Sequence, residues 1–245
     1  MSCPQTFSFI LVEPNNASNI GAAARAMNTM GHFDLRLVRP QADHLGGKAK
    51  ALAHGSQHIL ERAQVYDHLA DALQDIDFAC ATTARHRLQK HSYLSVRELP
   101  MRLSEKASSI EKVAIVFGSE TTGLGREDIE RCDLLTTIPQ YDLQPSLNLA
   151  QAVMVYCFVL SQEQTTVQIT DHRLNRDQMP VLQYANLKSA TLKLMARIGL
   201  SQRNQNYVVK ALARLGYEDL YLLQNIRSSV DRLLDKLEER GGKPH

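Results

Sequence analysis

Val113-Ala114-Ile115-Val116-Phe117-Gly118-Ser119-Glu120-Thr121-Thr122-Gly123-Leu124-Gly125 joins five apolar residues to a loop of glycines, hydroxyls and one carboxylate. A short unbroken apolar run, rich in β-branched and aromatic residues, reads as a strand buried on both faces of a parallel sheet. The glycine loop then stands at the carboxyl end of that strand, where open α/β sheets bind ligands. Gly118 and Gly123 have the G-x-x-x-x-G spacing of a phosphate loop. Leu124 and Gly125 stand where its Lys and Ser/Thr belong, so that reading fails. No G-x-G-x-x-G occurs either, which removes the fingerprint of a dinucleotide-binding oxidoreductase.

Working outward, residues 7–12, 35–38, 78–81 and 134–138 carry the same strand pattern. Helical patterns fall near 19–30, 48–62, 67–74, 97–106 and 125–131, with a longer one from about 146 to 162. Alternation of this kind predicts an α/β domain built on a parallel sheet. Residues 163–178 turn polar, and no strand pattern follows. Leu223, Ile226, Val230, Leu233 and Leu237 recur at spacings of 3 and 4, an apolar stripe read as the core side of a helix in a small helical unit. Gly241-Gly242 ends that helix. The expected organisation is a domain over residues 1–165 and an all-helical extension over 166–245.

The chain has 245 residues, 28 of them Lys or Arg and 26 Asp or Glu. That length buries a core without disulfides or metals. Residues 1–150 sum to −2 and residues 151–245 to +4. The second part therefore either meets something anionic or carries a solvated helical face. Cys3, Cys80, Cys132 and Cys157 form no C-x-x-C pair and have no histidines at ligand spacing, so no metal site is expected. Free thiols suit a reducing cytoplasm. The N-terminus lacks a basic segment before its apolar run, and the longest apolar stretch, 149–160, is too short to span a bilayer.

Three further segments carry polar groups at expected strand ends or helix starts. Glu13-Pro14-Asn15-Asn16-Ala17-Ser18-Asn19-Ile20-Gly21 opens a small-residue helix. Ser18 or Asn19 is a candidate cap, Gly21 and the alanines allow close backbone approach, and Arg25 lies on an otherwise apolar turn. Gln144-Pro145-Ser146-Leu147-Asn148-Leu149-Ala150-Gln151 opens the long helix, with Ser146 as candidate cap. Such a helix start can hold an anion. Thr82-Thr83-Ala84-Arg85-His86-Arg87-Leu88-Gln89-Lys90 follows a strand with three fixed positive charges. It is either a solvated loop or a site for phosphate contacts by Arg85, Arg87 and Lys90.

Taken together, Asn19-Ile20-Gly21-Ala22-Ala23-Ala24-Arg25, Val116-Phe117-Gly118-x-Glu120-x-x-Gly123-Leu124 and Ser146-Leu147-Asn148-Leu149-Ala150-Gln151-Ala152 resemble, in order and separation, the motifs of the SPOUT superfamily of RNA methyltransferases, in its TrmH/TrmJ type. The resemblance spans residues 7–160. It implies an α/β parallel-sheet domain ending in a trefoil knot, a homodimer, and S-adenosylmethionine as methyl donor. It implies 2′-O-ribose methylation of RNA, with tRNA at anticodon-loop position 32 as the leading target. The alternatives are ribosomal RNA, another tRNA site, or an RNA-binding protein that has lost catalysis. By motif position, Thr82, Thr83, Ala84, Gly118, Ile138, Ser146, Leu147 and Asn148 would line the cofactor pocket. Asn19, Arg25, Glu120, Ser146 and Asn148 would line the reaction site, with Asn19 and Arg25 facing the partner's pocket. One departure stands out: Ser119 occupies a position where the family usually has Arg.

Overall fold

A computed structural model describes residues 5–84, 93–106, 109–141, 147–161 and 183–241. In chain order its strands are β1 (Thr6–Val12), β2 (Asp34–Val38), β3 (Gln64–Tyr66), β4 (Phe78–Thr82), β5 (Leu94–Ser95), β6 (Lys112–Phe117) and β7 (Leu134–Thr137). They form one sheet in the order β3-β2-β1-β6-β4-β7-β5, with every neighbouring pair parallel. The five strands expected from apolar runs are the interior of this sheet. The two without such a signal, β3 and β5, are its edges. Each of these is two or three residues long and pairs on one side only, so neither needs a continuous apolar run.

Both faces of the sheet are covered, which is why the central strands lack alternation. One layer packs α1 (Ala17–Thr29), α2 (Gly47–Ala53), α3 (Gln57–Arg62), α5 (Leu99–Ser104) and α7 (Leu149–Ser161) on Phe9, Leu11, Ile115 and Phe117. The other packs α4 (Leu69–Ala72) and α6 (Arg126–Arg131) on Ile10, Val12, Ala114 and Val116. The expected helix over 48–62 is two helices. His54 and Gly55 adopt φ of 33° and 83°, and a left-handed pair ends α2. The expected helix over 97–106 begins as a 3₁₀ turn at Val96–Glu98, where Ser95 and Glu98 form a capping box. Gly21 meets the reading given to it. A Cβ there would lie 2.1 Å from the Ala49 carbonyl oxygen, so only glycine lets α1 and α2 pack this closely.

Three helices form the extension: α8 (Tyr184–Arg197), α9 (Gln202–Leu212) and α10 (Tyr217–Gly241). Tyr184, Leu187, Leu212, Tyr217 and Leu220 are buried in the same apolar cluster as the sheet layer. Three lysines lock this contact. Lys106, fully buried after α5, donates to the Leu215 carbonyl at 3.0 Å and lies 4.7 Å from the Tyr184 ring centroid. Lys188 of α8 pairs with buried Asp133 at 2.9 Å, and Lys210 of α9 donates to the Ile129 carbonyl at the end of α6 at 2.9 Å. The expected core stripe on α10 is corrected. Leu223 packs inward, while Ile226, Leu233 and Leu237 are exposed.

At the carboxyl edge of the sheet, Glu13 and Arg39 follow β1 and β2 with φ of 51° and 48°. Two adjacent left-handed non-glycine residues are strained and persist only where contacts hold them. Here the Arg39 guanidinium bonds Glu13 at 2.9 Å and reaches Asp128 of α6 at 3.6 Å. This brace sets the path of the loop that leads from β1 into α1.

Candidate active site

The loops leaving β4, β6 and β7, with the start of α7, enclose a cleft of about 580 Å³. Thr82, Thr83, Ala84, Gly118, Glu120, Ile138 and Leu147 all line it. Residues from four separate stretches thus meet at one sheet edge. The floor is apolar, made by Leu135, Leu149 and Tyr156. Tyr156 closes it from α7, its hydroxyl 2.8 Å from Thr136 Oγ1 and its ring edge-on to Phe117. Burial pushes that phenol well above its ordinary pKa.

The loop after β6 is a tight hairpin. Gly123 N–H donates to the Ser119 carbonyl at 3.0 Å, and Gly123 takes φ of 71°. A Cβ on Gly118 would lie 2.1 Å from the Gly123 carbonyl carbon and from Leu124 N, so glycine is obligatory there. Ser119 is buried inside this turn. Its hydroxyl lies 2.7 Å from Thr122 Oγ1 and accepts from Thr122 N at 3.2 Å. The residue that departs from the family pattern therefore organises the loop that carries Glu120.

From Glu120, which lines the cleft, a directional chain of hydrogen bonds leads to Asn19 and Asn148; neither of these is among the lining residues, although Asn148 was expected to be. Asn19 Nδ2 donates to Glu120 Oε1 at 2.8 Å, and Asn15 N donates to Oε2 at 2.9 Å. Asn148 Nδ2 donates to Asn19 Oδ1 at 2.9 Å, and Ala150 N donates to Asn148 Oδ1 at 2.9 Å. The chain runs from the N-terminus of α7 to a carboxylate, so each donor is polarised towards a negative charge.

This geometry corrects the expected cap of α1, while Ser146, the cap expected for α7, lies outside the described residues. Asn16 caps α1, accepting from Ser18 N at 2.9 Å, and so leaves Asn19 free to bond Glu120. Asn148 itself caps α7, and Gln151 accepts from Asn148 N at 3.2 Å. Asn19 is engaged by Glu120 and Asn148 of its own chain. Arg25 stands apart, exposed on α1 with no ion pair among the described residues. Six residues of helix place it about 9 Å along the axis from Asn19. Ser146, Arg85, Arg87 and Lys90 lie outside the described residues.

Sequence reasoning missed Asn15, Thr122 and Tyr156. Asn15 lies in the polar loop already singled out, but it acts through its backbone N–H, which no residue type announces. Thr122 stands three residues after Ser119, the spacing of a hydroxyl-braced turn. Among the described residues, no three His, Cys, Asp or Glu side chains converge as metal ligands. No helix among them is long and apolar enough to cross a membrane.

Comparison with known proteins agrees with this geometry. Residues 6–158 match the family described as the SpoU rRNA methylase family. The "Uncharacterized tRNA/rRNA methyltransferase LasT" of Escherichia coli (strain K12) is 38% identical over 94% of this chain and 99% of its own. The tRNA (cytidine/uridine-2'-O-)-methyltransferase TrmJ of Citrobacter koseri is 33% identical over 72% of each chain. Among solved structures, a probable methylase family protein from Haemophilus influenzae superposes with TM-score 0.63 at 29% identity, covering 95% of this chain and 99% of its own. TrmJ from Z. mobilis gives 0.64 at 25% identity, covering 91% and 98%. The cleft at the carboxyl edge of a parallel sheet, its glycine hairpin and the neighbouring Asn148–Asn19–Glu120 chain thus belong to a member of the SpoU rRNA methylase family.

Proposed function

We propose that this protein transfers a methyl group from S-adenosylmethionine to a ribose 2′-OH of tRNA, at position 32 of the anticodon loop. The observation that carries the reading is the hydrogen-bonded chain Asn148–Asn19–Glu120, which ends on a lining residue of the strand-end cleft. The cleft fits the cofactor. Its volume is in the range of small-molecule sites, and its lining is an apolar floor with a few polar groups, Thr82 and Thr83 among them. A solved structure of AviRb, with the same fold, is in complex with AdoMet.

S-adenosylmethionine supplies the methyl group; this chain's residues position the acceptor. Alignment of reacting groups alone can lower a barrier by about 7–11 kcal/mol. Asn19 and Asn148, held by Glu120 and the α7 N-terminus, orient the hydroxyl. A guanidinium is a poor base because it stays protonated. Arg25 is therefore assigned to the neighbouring phosphate and to the developing oxyanion.

The chain is read as a homodimer in the cytoplasm, where tRNA is found. α7 is apolar almost all round, yet Phe158 on its outer side is 49% exposed and Met154 and Val155 are only half-buried. A second protomer on this face would cover them and bring Arg25 of α1 to the interface. A trefoil knot is supported by chain order. β6 lies between β1 and β4, the chain then moves outward to β7, and α7 returns to pack on α1. The division into residues 1–165 and 166–245 is retained as a functional one, the extension serving RNA. Between residues 178 and 217 the chain has six Lys or Arg and no Asp or Glu. Arg203 and Tyr207 share an exposed face of α9 and exposed Arg214 follows its C-terminal end, which suits phosphate contacts and base stacking. Arg85, Arg87 and Lys90 would add phosphate contacts of their own.

Ribosomal RNA is the second reading, favoured by the family's description. Mapping ribose methylation by mass spectrometry in total RNA from cells with and without the gene separates the two. Loss of a tRNA position-32 methyl supports the proposal, and loss of a ribosomal methyl replaces it. Calorimetric titration with S-adenosylmethionine tests catalysis itself. No binding would leave an RNA-binding protein without methyl transfer.

A further inference from the structure

The last helix is amphipathic in the inverted sense. α10 turns Asp231, Asp235 and Glu238 towards α8, where Arg197 meets them at 4.0, 2.8 and 2.8 Å. At 3.6 residues per turn, Leu222, Ile226, Ser229, Leu233 and Leu237 fall on the opposite side. The four large residues of that stripe are 60, 52, 58 and 57% exposed. A helix on a folded domain turns its apolar stripe inward. Here Tyr217, Leu220 and Leu223 anchor the first turns inward, and beyond them the ion-paired side is inward while an apolar side faces outward along roughly 22 Å of helix. Exposed apolar surface of this extent marks an interaction site.

The spacing identifies the partner. Leu222 and Leu237, Ile226 and Leu233, and Ser229 and Val230 share one midpoint, between residues 229 and 230. A two-fold interface must be self-complementary, residue i meeting j while j meets i. An antiparallel pair of α10 helices with its axis at that midpoint meets this condition. Leu222 faces Leu237 of the other copy, and Ile226 faces Leu233. Ser229, the smallest residue of the stripe, lies at the crossing. A shallow groove between Asn225, Ile226, Ser229, Val230 and Leu233 is centred on the same point, as a hole for the facing knobs. The acids that would oppose pairing are already held by Arg197 on the other side. We infer that this face binds a second copy of the chain through α10–α10 pairing. The inference does not rest on the methyltransferase reading or on the α7 contact.

The test uses the full chain in a Cys3→Ser background, since Cys80, Cys132 and Cys157 are buried. Chains carrying Leu222→Cys and Leu237→Cys are mixed, allowed to exchange and oxidised. A dimer-sized band is expected in the mixture, at least fivefold stronger than for either variant alone. Identical positions stand about 22 Å apart in the antiparallel pair. Equal bands in all three samples, or none, overturn the inference. In a second measurement, adding Ile226→Asp with Leu233→Asp to both cysteine chains should abolish the mixed Leu222→Cys/Leu237→Cys band while circular dichroism stays unchanged. A band of unchanged strength overturns it. So does cross-linking of Leu222→Cys to a cysteine placed within residues 162–182 of the same chain, which would assign the face to that segment.

Discussion

Asn19 and Glu120 lie 101 residues apart in the chain and 2.8 Å apart in space. The carboxylate also accepts from Asn15 N, so both of its oxygens are committed to the loop between β1 and α1. Asn19 in turn holds Asn148 at the start of α7. One contact therefore ties three segments, the β1–α1 loop, the loop after β6 and the start of α7, into a single hydrogen-bonded cluster.

Glu120→Gln should disable this tie. Glutamine has one acceptor oxygen, so one of the two donors would face an NH₂ group. A hydrogen bond to a charged group contributes about 1.5–3 kcal/mol, or roughly 10- to 100-fold in rate. Single-turnover methylation should fall by that factor, with S-adenosylmethionine affinity by calorimetry nearly unchanged. Asn19→Ala should fall similarly, and the double variant should show much less than the product of the two effects.

Arg25→Ala should abolish methylation while folding and cofactor binding remain near wild type. The side chain is exposed and unpaired among the described residues, so the stability cost should stay within about 0.5 kcal/mol. Full activity in this variant would remove Arg25 from the reaction site.

Gly118→Ala should act on the pocket and the fold together. The added methyl meets Gly123 and Leu124 backbone at 2.1 Å, so the hairpin must open. Overpacking of this kind costs about 1–3 kcal/mol, and each kcal/mol lowers Tm by roughly 2–4 °C at this chain length. Differential scanning calorimetry and cofactor titration should fall in step.

Lys106 makes stability depend on pH. Burial lowers its pKa from 10.5 to about 8. Between these values the unfolded chain binds more protons than the folded one, so this group's contribution rises with pH from about 8 towards 10.5. The full effect is on the order of 3 kcal/mol. Urea titrations at pH 7.5 and 9.5 should show a steeper gain for wild type than for Lys106→Met. Equal slopes would contradict the burial argument.

Much of the fold was legible because strands buried on both faces leave unbroken apolar runs. The edges β3 and β5 were not, since one-sided pairing over two or three residues demands no such run. In the site, Gly118, Glu120, Asn19 and Asn148 were legible as polar or glycine positions at segment ends. Which residue capped each helix was not. Asn16 and Ser18 offer the same local chemistry, and the contact of Asn19 with Glu120 makes the difference.

The α10 stripe shows the division most clearly. Its period was written in the sequence, and so was its helix, because periodicity is a local property of the chain. Whether Ile226, Leu233 and Leu237 point into a core or away from it depends on which side Arg197 and its three acids occupy. That choice is made by α8 docking on the sheet through Lys188, Asp133 and Tyr184. The sequence alone determined the interior strands and most of the helices, the strand-end placement of the polar residues and the charge of each region. Only the tertiary structure decided which of those residues meet, because burial and hydrogen bonding across a hundred residues depend on packing that no local pattern contains.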